Sequence, residues 1–305
     1  MRTALLGIVF VLASAGSYAA IDVVASAQQC DSGKAVACSQ LAAAYKNGAG
    51  VRKDVVQSAL FYIKGCALGD EDTHDCYDAG FMLARSEKTK GDAEKIDAAF
   101  AQWVKSCGEG NVADCNYVGL INQMGLRRAK NPEKAGAAYE KACDGGIVSA
   151  CAAAASIYHD LEPRDAPKIA RLLQKACEGN VGWQCTLLGH AYEEGEGVTK
   201  DLARAARYYQ QACDLQSGLG CAALGEMDGN GNGVQKNLLS AVIHYKKACD
   251  FREVRGCQGL AQIYMSDPVT AKKLFEDACK QIGRCEDFRG LMSGIEAATQ
   301  LKKSH

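Results

Sequence analysis

The sequence predicts an all-α repeat protein built from about seven helical hairpins, and three observations lead to this fold class. Sixteen cysteines fall into eight pairs, six of which are separated by eight residues. The first cysteines of successive pairs lie 30 to 41 residues apart, a period typical of helical repeats. Around each pair, residues of one kind recur at intervals of three, four and seven, the spacing that marks one face of an α-helix.

Each repeat begins with a predicted helix A, which starts near the second cysteine of a pair. The fourth residue after that cysteine is always glycine or alanine: Ala42, Gly80, Gly119, Ala155, Gly189, Gly225 and Ala261. A glycine inside a helix costs about 1 kcal/mol relative to alanine, so this column of small residues needs a steric reason. We expect the backbone of another helix to lie close to it.

A predicted helix B ends at the first cysteine of the next pair. Four residues before that cysteine the chain carries a nearly aromatic column: Tyr62, Trp103, Tyr139, Leu173, Tyr209, Tyr245 and Phe275. Twelve residues before it stand residues suited to capping a helix N-terminus: Asp54, Asn131, Asp165, Asp201, Asn237 and Asp267. The glycine-rich turns between helices A and B lack the preceding strand and the following Lys-Ser/Thr pair of a phosphate-binding loop.

These motifs resemble those of a known family. YEKACD at 139–144, LGHAY at 188–192 and GEGVTKD at 195–201 resemble Sel-one-like repeats (SLR), which are relatives of the tetratricopeptide repeat. With its paired cysteines, the chain from 30 to 285 resembles the secreted Helicobacter cysteine-rich proteins, also described as a β-lactamase-like family. The resemblance implies a right-handed α-solenoid of disulfide-stapled hairpins. Residues 20–305 would then form a single SLR domain with terminal capping helices.

Two schemes for pairing the cysteines as disulfides fit such hairpins. One joins the end of helix B to the start of the next helix A, and the other joins the two ends within a hairpin. The second scheme leaves two cysteines unpaired and has less regular separations, so we expect the first. It links Cys30 with Cys38, Cys66 with Cys76, Cys107 with Cys115, Cys143 with Cys151, Cys177 with Cys185, Cys213 with Cys221, Cys249 with Cys257, and Cys279 with Cys285.

The N-terminus has the features of a secretory signal peptide. Arg2 precedes an apolar stretch at 5–16, which is too short to span a bilayer. Small residues at Ser17 and Ala19 mark a cleavage site, so we expect residues 1–19 to be removed, with residue 27 as an alternative end. We therefore expect a secreted or periplasmic protein, an environment in which many cysteines indicate disulfides. We expect no membrane insertion after cleavage.

Composition and motifs limit the function classes. The net charge is −1, and no basic run indicates nucleic-acid binding. No cysteine or histidine cluster has metal-ligand spacing, and the Ser-x-x-Lys and Gly-x-Ser-x-Gly motifs of serine hydrolases are missing. We expect no cofactor, no metal and no catalytic residue.

Two functions remain open for an expected monomer. The first is an exported scaffold that binds a protein or peptide on its curved surface. The second, implied by the resemblance, is a weak β-lactamase or a penicillin-binding hydrolase, whose ligand would be a β-lactam or a cell-wall-derived peptide. The geometry of helix A places Thr186, His190 and Glu193 on the open surface, half a turn from the packing columns, and we expect them to contact the partner.

Overall fold

The protein is described by a computed structural model over residues 22–68, 90–125 and 129–282, together with positions 290 and 293. The chain divides into two compact units, residues 1–99 and 100–305. Within the described residues it forms fourteen α-helices and no strand, which confirms the all-α fold class. The helices are α1 (Val23–Asp31), α2 (Ala35–Asn47), α3 (Val55–Ala67), α4 (Lys90–Gly108), α5 (Val112–Met124), α6 (Pro132–Asp144), α7 (Val148–Asp160), α8 (Ala166–Glu178), α9 (Gly182–Glu194), α10 (Leu202–Asp214), α11 (Gly218–Asn230), α12 (Leu238–Asp250), α13 (Val254–Ser266) and α14 (Pro268–Ile282).

Consecutive helices pack as hairpins. The first unit contains the hairpin α2–α3, and the second contains α5–α6, α7–α8, α9–α10, α11–α12 and α13–α14. Helices α6, α8, α10 and α12 also pack against the helix that follows them, so the second unit is an α-solenoid of stacked hairpins. Helix A of the remaining predicted hairpin falls in residues 69–89, outside the described residues. None of the described helices combines the length and the apolar character that crossing a membrane requires.

The helix ends match the residues that the sequence places there. Asp201 caps α10 by accepting a hydrogen bond from the backbone N–H of Arg204, at 2.9 Å. The other described residues of the predicted capping column do the same: Asp54, Asn131, Asp165, Asn237 and Asp267. The C-terminus of the preceding helix, α9, is capped by Gly195, which has φ 81°, a left-handed conformation that glycine adopts without steric cost. Capping therefore sets where each helix B begins.

The described glycines of the helix A column pack against side chains and not, as the sequence suggested, against a helix backbone. A Cβ atom added at Gly189 would lie 2.7 Å from the ring of Tyr209. Gly225 meets the ring of Tyr245 in the same way, at 2.8 Å. These glycines of helix A thus accommodate the tyrosine rings of helix B in the same hairpin.

Six disulfides join the end of one helix B to the start of the next helix A, in the local pairing scheme. They are Cys30–Cys38, Cys107–Cys115, Cys143–Cys151, Cys177–Cys185, Cys213–Cys221 and Cys249–Cys257. The Cα atoms of each pair lie 4.5 to 4.8 Å apart, a separation that accommodates a disulfide. Cys66 is also disulfide-bonded. The expected partner of Cys66 and the pair Cys279–Cys285 lie outside the residues whose side chains are described.

In two repeats the acidic residue that follows the first cysteine forms ion pairs with the next repeat. In the second unit, an oxygen of Asp144 lies 2.8 Å from the Lys175 ammonium and 2.8 Å from the Arg171 guanidinium. In the first unit, Asp31 pairs with Lys64 at 3.0 Å. Both lysines stand two residues before the next first cysteine. At these two junctions ion pairs therefore link successive B helices beside the disulfide, whereas Glu178, Asp214 and Asp250 contact side chains of their own helices.

Candidate binding groove

A groove of about 570 Å³ lies in the second unit between helices α7 and α9. Helix α8 forms its floor with the buried residues Ile169, Ala170 and Leu173. On α7 the small side chains of Ala152 and Ala155 line one wall. Ligand pockets typically enclose roughly 300 to 1,000 Å³, so the groove is large enough for a short stretch of peptide.

The groove is present because helix α8 lacks the aromatic side chain of the neighbouring B helices. Tyr139, Tyr209 and Tyr245 occupy the equivalent position, and their rings cover the helix A that precedes them. Leu173 stands at this position in α8 and is 5% exposed. Because leucine is shorter than tyrosine, the volume that a phenol ring fills in the other hairpins stays open above Leu173.

Gln184 in the wall of the groove is a second departure from the neighbouring repeats. The next two A helices carry Gly220 and Gly256 at this position, immediately before the second cysteine. The side-chain oxygen of Gln184 is buried and accepts no hydrogen bond from any residue that the structure describes. A buried acceptor without a partner costs about 1–3 kcal/mol, so a ligand that donates a hydrogen bond to this oxygen would recover that free energy.

Helix α9 presents an apolar and aromatic face to the groove. Trp183 is 50% exposed and Leu187 is 37% exposed, and both line the groove together with the exposed His190. Spacings of four and three residues place these side chains on one face of the helix. The sequence predicted the exposure of His190 and allowed Trp183 as a contact residue in a loop, whereas the structure places Trp183 in α9 and adds Leu187 to the same face.

The structure contradicts the surface position predicted for Thr186. Its side chain is buried, and its hydroxyl hydrogen-bonds the carbonyl oxygen of Gly182 and the hydroxyl of Ser217 in the next repeat. Glu193 is half-buried and accepts a hydrogen bond from the Tyr209 hydroxyl at 2.6 Å. Burial and this bond raise the pKa of Tyr209. The predicted binding face of α9 is thus rotated away from the exposed face that carries Trp183 and Leu187, because the next repeat covers the side of α9 that carries Thr186.

The two ends of the groove differ in polarity. The turns that follow helices α7 and α9 contribute Arg164 and Glu196, and the end of α7 contributes His159. His159 lies 3.2 Å from the carboxylate of its neighbour Asp160. Leu173 on α8 and Trp183 on α9 lie at the other end of the groove, near the disulfide Cys177–Cys185. A ligand that fills the groove therefore meets apolar side chains at one end and charged groups at the other.

The groove has the composition of a binding site. Neither His159 nor His190 hydrogen-bonds a serine or threonine hydroxyl in the part of the chain that the structure describes. Over the same residues, no group of three His, Cys, Asp or Glu side chains could hold a metal ion. Outside the groove, Asp228 of α11 and His244 of α12 form a pair at 2.7 Å. At the equivalent positions of the previous hairpin, the ring of Tyr192 stacks on that of Tyr208.

Comparisons with known proteins agree with this architecture. The Sel1 repeat family model matches residues 35–70, 112–147, 185–217 and 218–250. A curated relative, cytochrome c oxidase assembly factor 7 of Xenopus tropicalis, is 27% identical over 172 residues, which make up 54% of this chain and 72% of that protein.

Two solved structures are similar to the chain. The first is a protective antigen of uropathogenic Escherichia coli with an SLR fold; it is 23% identical with a TM-score of 0.51, over 92% of this chain and 59% of that one. The second is cysteine-rich protein B of Helicobacter pylori, which is 38% identical with a TM-score of 0.35, over 42% of this chain and 94% of that one. With four matched repeats and stacked, disulfide-linked hairpins, the chain belongs to the Sel1-like repeat family.

Proposed function

We propose that this Sel1 repeat scaffold binds an extended segment of a protein or peptide partner in the groove between α7 and α9. The observation that carries the proposal is the opening above Leu173, where the aromatic side chain of the other B helices is replaced. Trp183 and Leu187 expose apolar area beside this opening, and exposed aromatic residues in a pocket are frequent anchors of protein interfaces. Sel1 repeats generally mediate protein–protein interaction, in agreement with such a role.

Filling the groove tests the proposal. The oxidised full-length chain would first select binders from a random dodecapeptide phage library, and fluorescence polarisation would then measure their affinities. Leu173→Tyr installs the residue found in neighbouring hairpins, so that its ring occupies the volume above α8. Because those rings face glycine whereas this one faces Ala155, circular dichroism would first show that the variant is folded. We expect the affinity of the selected peptides to fall at least tenfold.

Two further variants make the groove experiment decisive. Leu238→Tyr is the matched control, because Leu238 is 38% exposed on α12 and does not line the groove. If Leu173→Tyr unfolds the chain, Ala155→Gly combined with it reproduces the Gly–Tyr pairing of the next hairpin. Unchanged affinity in a folded, groove-filled variant would refute binding in the groove.

The hydrolase alternative rests on the family resemblance alone. It predicts that the protein hydrolyses a chromogenic cephalosporin and that a single substitution in the folded protein abolishes this activity. A graded loss of peptide binding across several groove positions supports the scaffold instead, because a peptide contacts many side chains weakly whereas catalysis needs a fixed set.

We also propose that the protein is exported and acts in the periplasm or outside the cell. The disulfides among the described residues support an oxidising compartment, since such bonds are rare in the cytosol. The predicted signal peptide lies outside the described residues. Helix α1 begins at Val23 and is capped by Asp22, so cleavage after Ala19 would leave it whole, whereas cleavage after Ala27 would remove its first half.

A further inference from the structure

We propose that the groove selects peptides that combine an apolar side chain with a carboxylate three residues further along. The apolar side chain would lie between Trp183 and Leu173, and the carboxylate would lie at Arg164. This inference rests on the proposed function, because it names the chemical class of segment that the groove would accept. Four features of the groove support it.

The first feature is the length of the groove. Trp183 and His190 both line it, and they are seven residues apart on one helix. A rise of about 1.5 Å per residue separates them by about 10 Å along the axis. A peptide in the extended polyproline II conformation advances about 3.1 Å per residue and has three residues per turn. Side chains three positions apart therefore lie on one face, about 9 Å apart, and would reach the two ends of the groove.

The second feature is the apolar end. The Trp183 ring is half exposed, and Leu173 forms the floor beside it. Burying one leucine-sized side chain in such a site contributes about 1.5–3 kcal/mol. A leucine or phenylalanine of the partner would therefore supply much of the affinity at this end.

The third feature is the unpaired oxygen of Gln184 in the groove wall. The terminal amide torsion of a glutamine is broad, so a modest rotation would turn this oxygen towards the groove. It would then accept a hydrogen bond from an N–H group. A peptide backbone carries such a donor at nearly every residue, whereas an acyl chain of similar shape carries none.

The fourth feature is the charge at the polar end. The exposed Arg164 guanidinium forms no ion pair with a carboxylate in the described part of the chain, and the His159 and His190 rings lie on the same groove. Glu196, on the opposite turn, also lines the groove and disfavours a carboxylate placed beside it, which leaves Arg164 as the site for one. A partner carboxylate would therefore pair with Arg164, and a guanidinium can hold it through two hydrogen bonds.

Synthetic peptides separate this inference from the proposed function. The probes would be two acetylated octapeptides carrying a fluorophore, Gly-Gly-Leu-Ala-Ala-Glu-Gly-Gly and the same sequence with Gln in place of Glu. We expect the oxidised full-length protein to bind the Glu peptide about five- to tenfold more tightly. Arg164→Glu should abolish this preference, and Arg207→Glu, a charge reversal on α10 away from the groove lining, should leave it unchanged.

Each outcome has one meaning. Equal binding of the Glu and Gln peptides would overturn the carboxylate inference while leaving the groove as a binding site. If neither octapeptide binds, peptides selected from the phage library decide, and a selected set without an acidic residue three positions after an apolar one also overturns the inference. If the library yields no binder, the proposed function itself fails.

Discussion

The stacking of successive repeat junctions leads to a quantitative prediction about Gly179 and Val148. A Cβ atom added at Gly179 would lie 2.3 and 2.5 Å from the two methyl carbons of Val148 in the preceding junction. At the next junction the small and large residues are exchanged. Gly182 stands at the position equivalent to Val148, and Leu215 at the position equivalent to Gly179; a Cβ atom added at Gly182 would lie 3.0 Å from the Leu215 Cβ. We therefore predict that Gly179→Leu destabilises the protein and that Val148→Gly relieves the effect.

The expected magnitude follows from the clash. Overpacking typically costs about 1–3 kcal/mol. Gly179 has φ −79°, which other residues adopt without strain, so the backbone adds no penalty. Gly179→Leu alone should lower the free energy of unfolding by about 1–2 kcal/mol. Val148→Gly alone should cost about 1 kcal/mol, partly through helix propensity and partly through the apolar contact that the partly buried valine loses. The double variant should then be about as stable as Val148→Gly, which corresponds to a coupling of about 1–2 kcal/mol between the two sites.

Urea unfolding of the oxidised proteins, followed by circular dichroism, would measure this coupling. Midpoints and slopes should be compared together, because a change in slope would signal loss of two-state behaviour. Val112→Gly combined with Gly179→Leu is the matched control, since Val112 packs against Gly145 and not against Gly179. If Gly179→Leu is equally destabilising with Val148 and with glycine at 148, the clash is not the cause and the reasoning is wrong.

Two further predictions concern charge and covalent structure. Lys175 and Arg171 hold the pKa of Asp144 below its usual range, so the pair stabilises the protein above pH 4 and the effect fades as pH falls through the lowered pKa. Asp144→Asn should lower stability by less than about 1 kcal/mol at pH 7, as for other exposed pairs, and by nothing measurable at pH 2; an equal loss at both pH values in urea unfolding would contradict this. Mass spectrometry without reductant should find no free thiol, eight local disulfides and a mature chain starting at residue 20, whereas a Cys38–Cys66 bridge or a retained Met1 would refute the corresponding assignment.

Local signals in the sequence were sufficient to predict the helices and their order. The Asp and Asn caps, the turn glycines and the three-four-seven spacing each act within a few residues, so they can be recognised without knowing the fold. The separation of eight residues between cysteines also predicts a local link, because the end of one helix and the start of the next are close along the chain. The Lys-Ala-Cys-Asp pattern was visible too, but its ion pairs join residues about thirty positions apart and required the structure.

The groove depends on contacts between helices, and the sequence alone does not show which residues make them. Leu173 and Gln184 stand out as departures from their columns, yet a substitution in a column can fill space or open it, and only the packing of α7, α8 and α9 shows that it opens here. The exposed face of α9 was misplaced for a related reason. Each residue turns a helix by about 100°, and neighbouring elements cover all but a narrow strip of α9. The next repeat covers the side of α9 that carries Thr186, which hydrogen-bonds Ser217, and leaves Trp183, Leu187 and His190 exposed on another side.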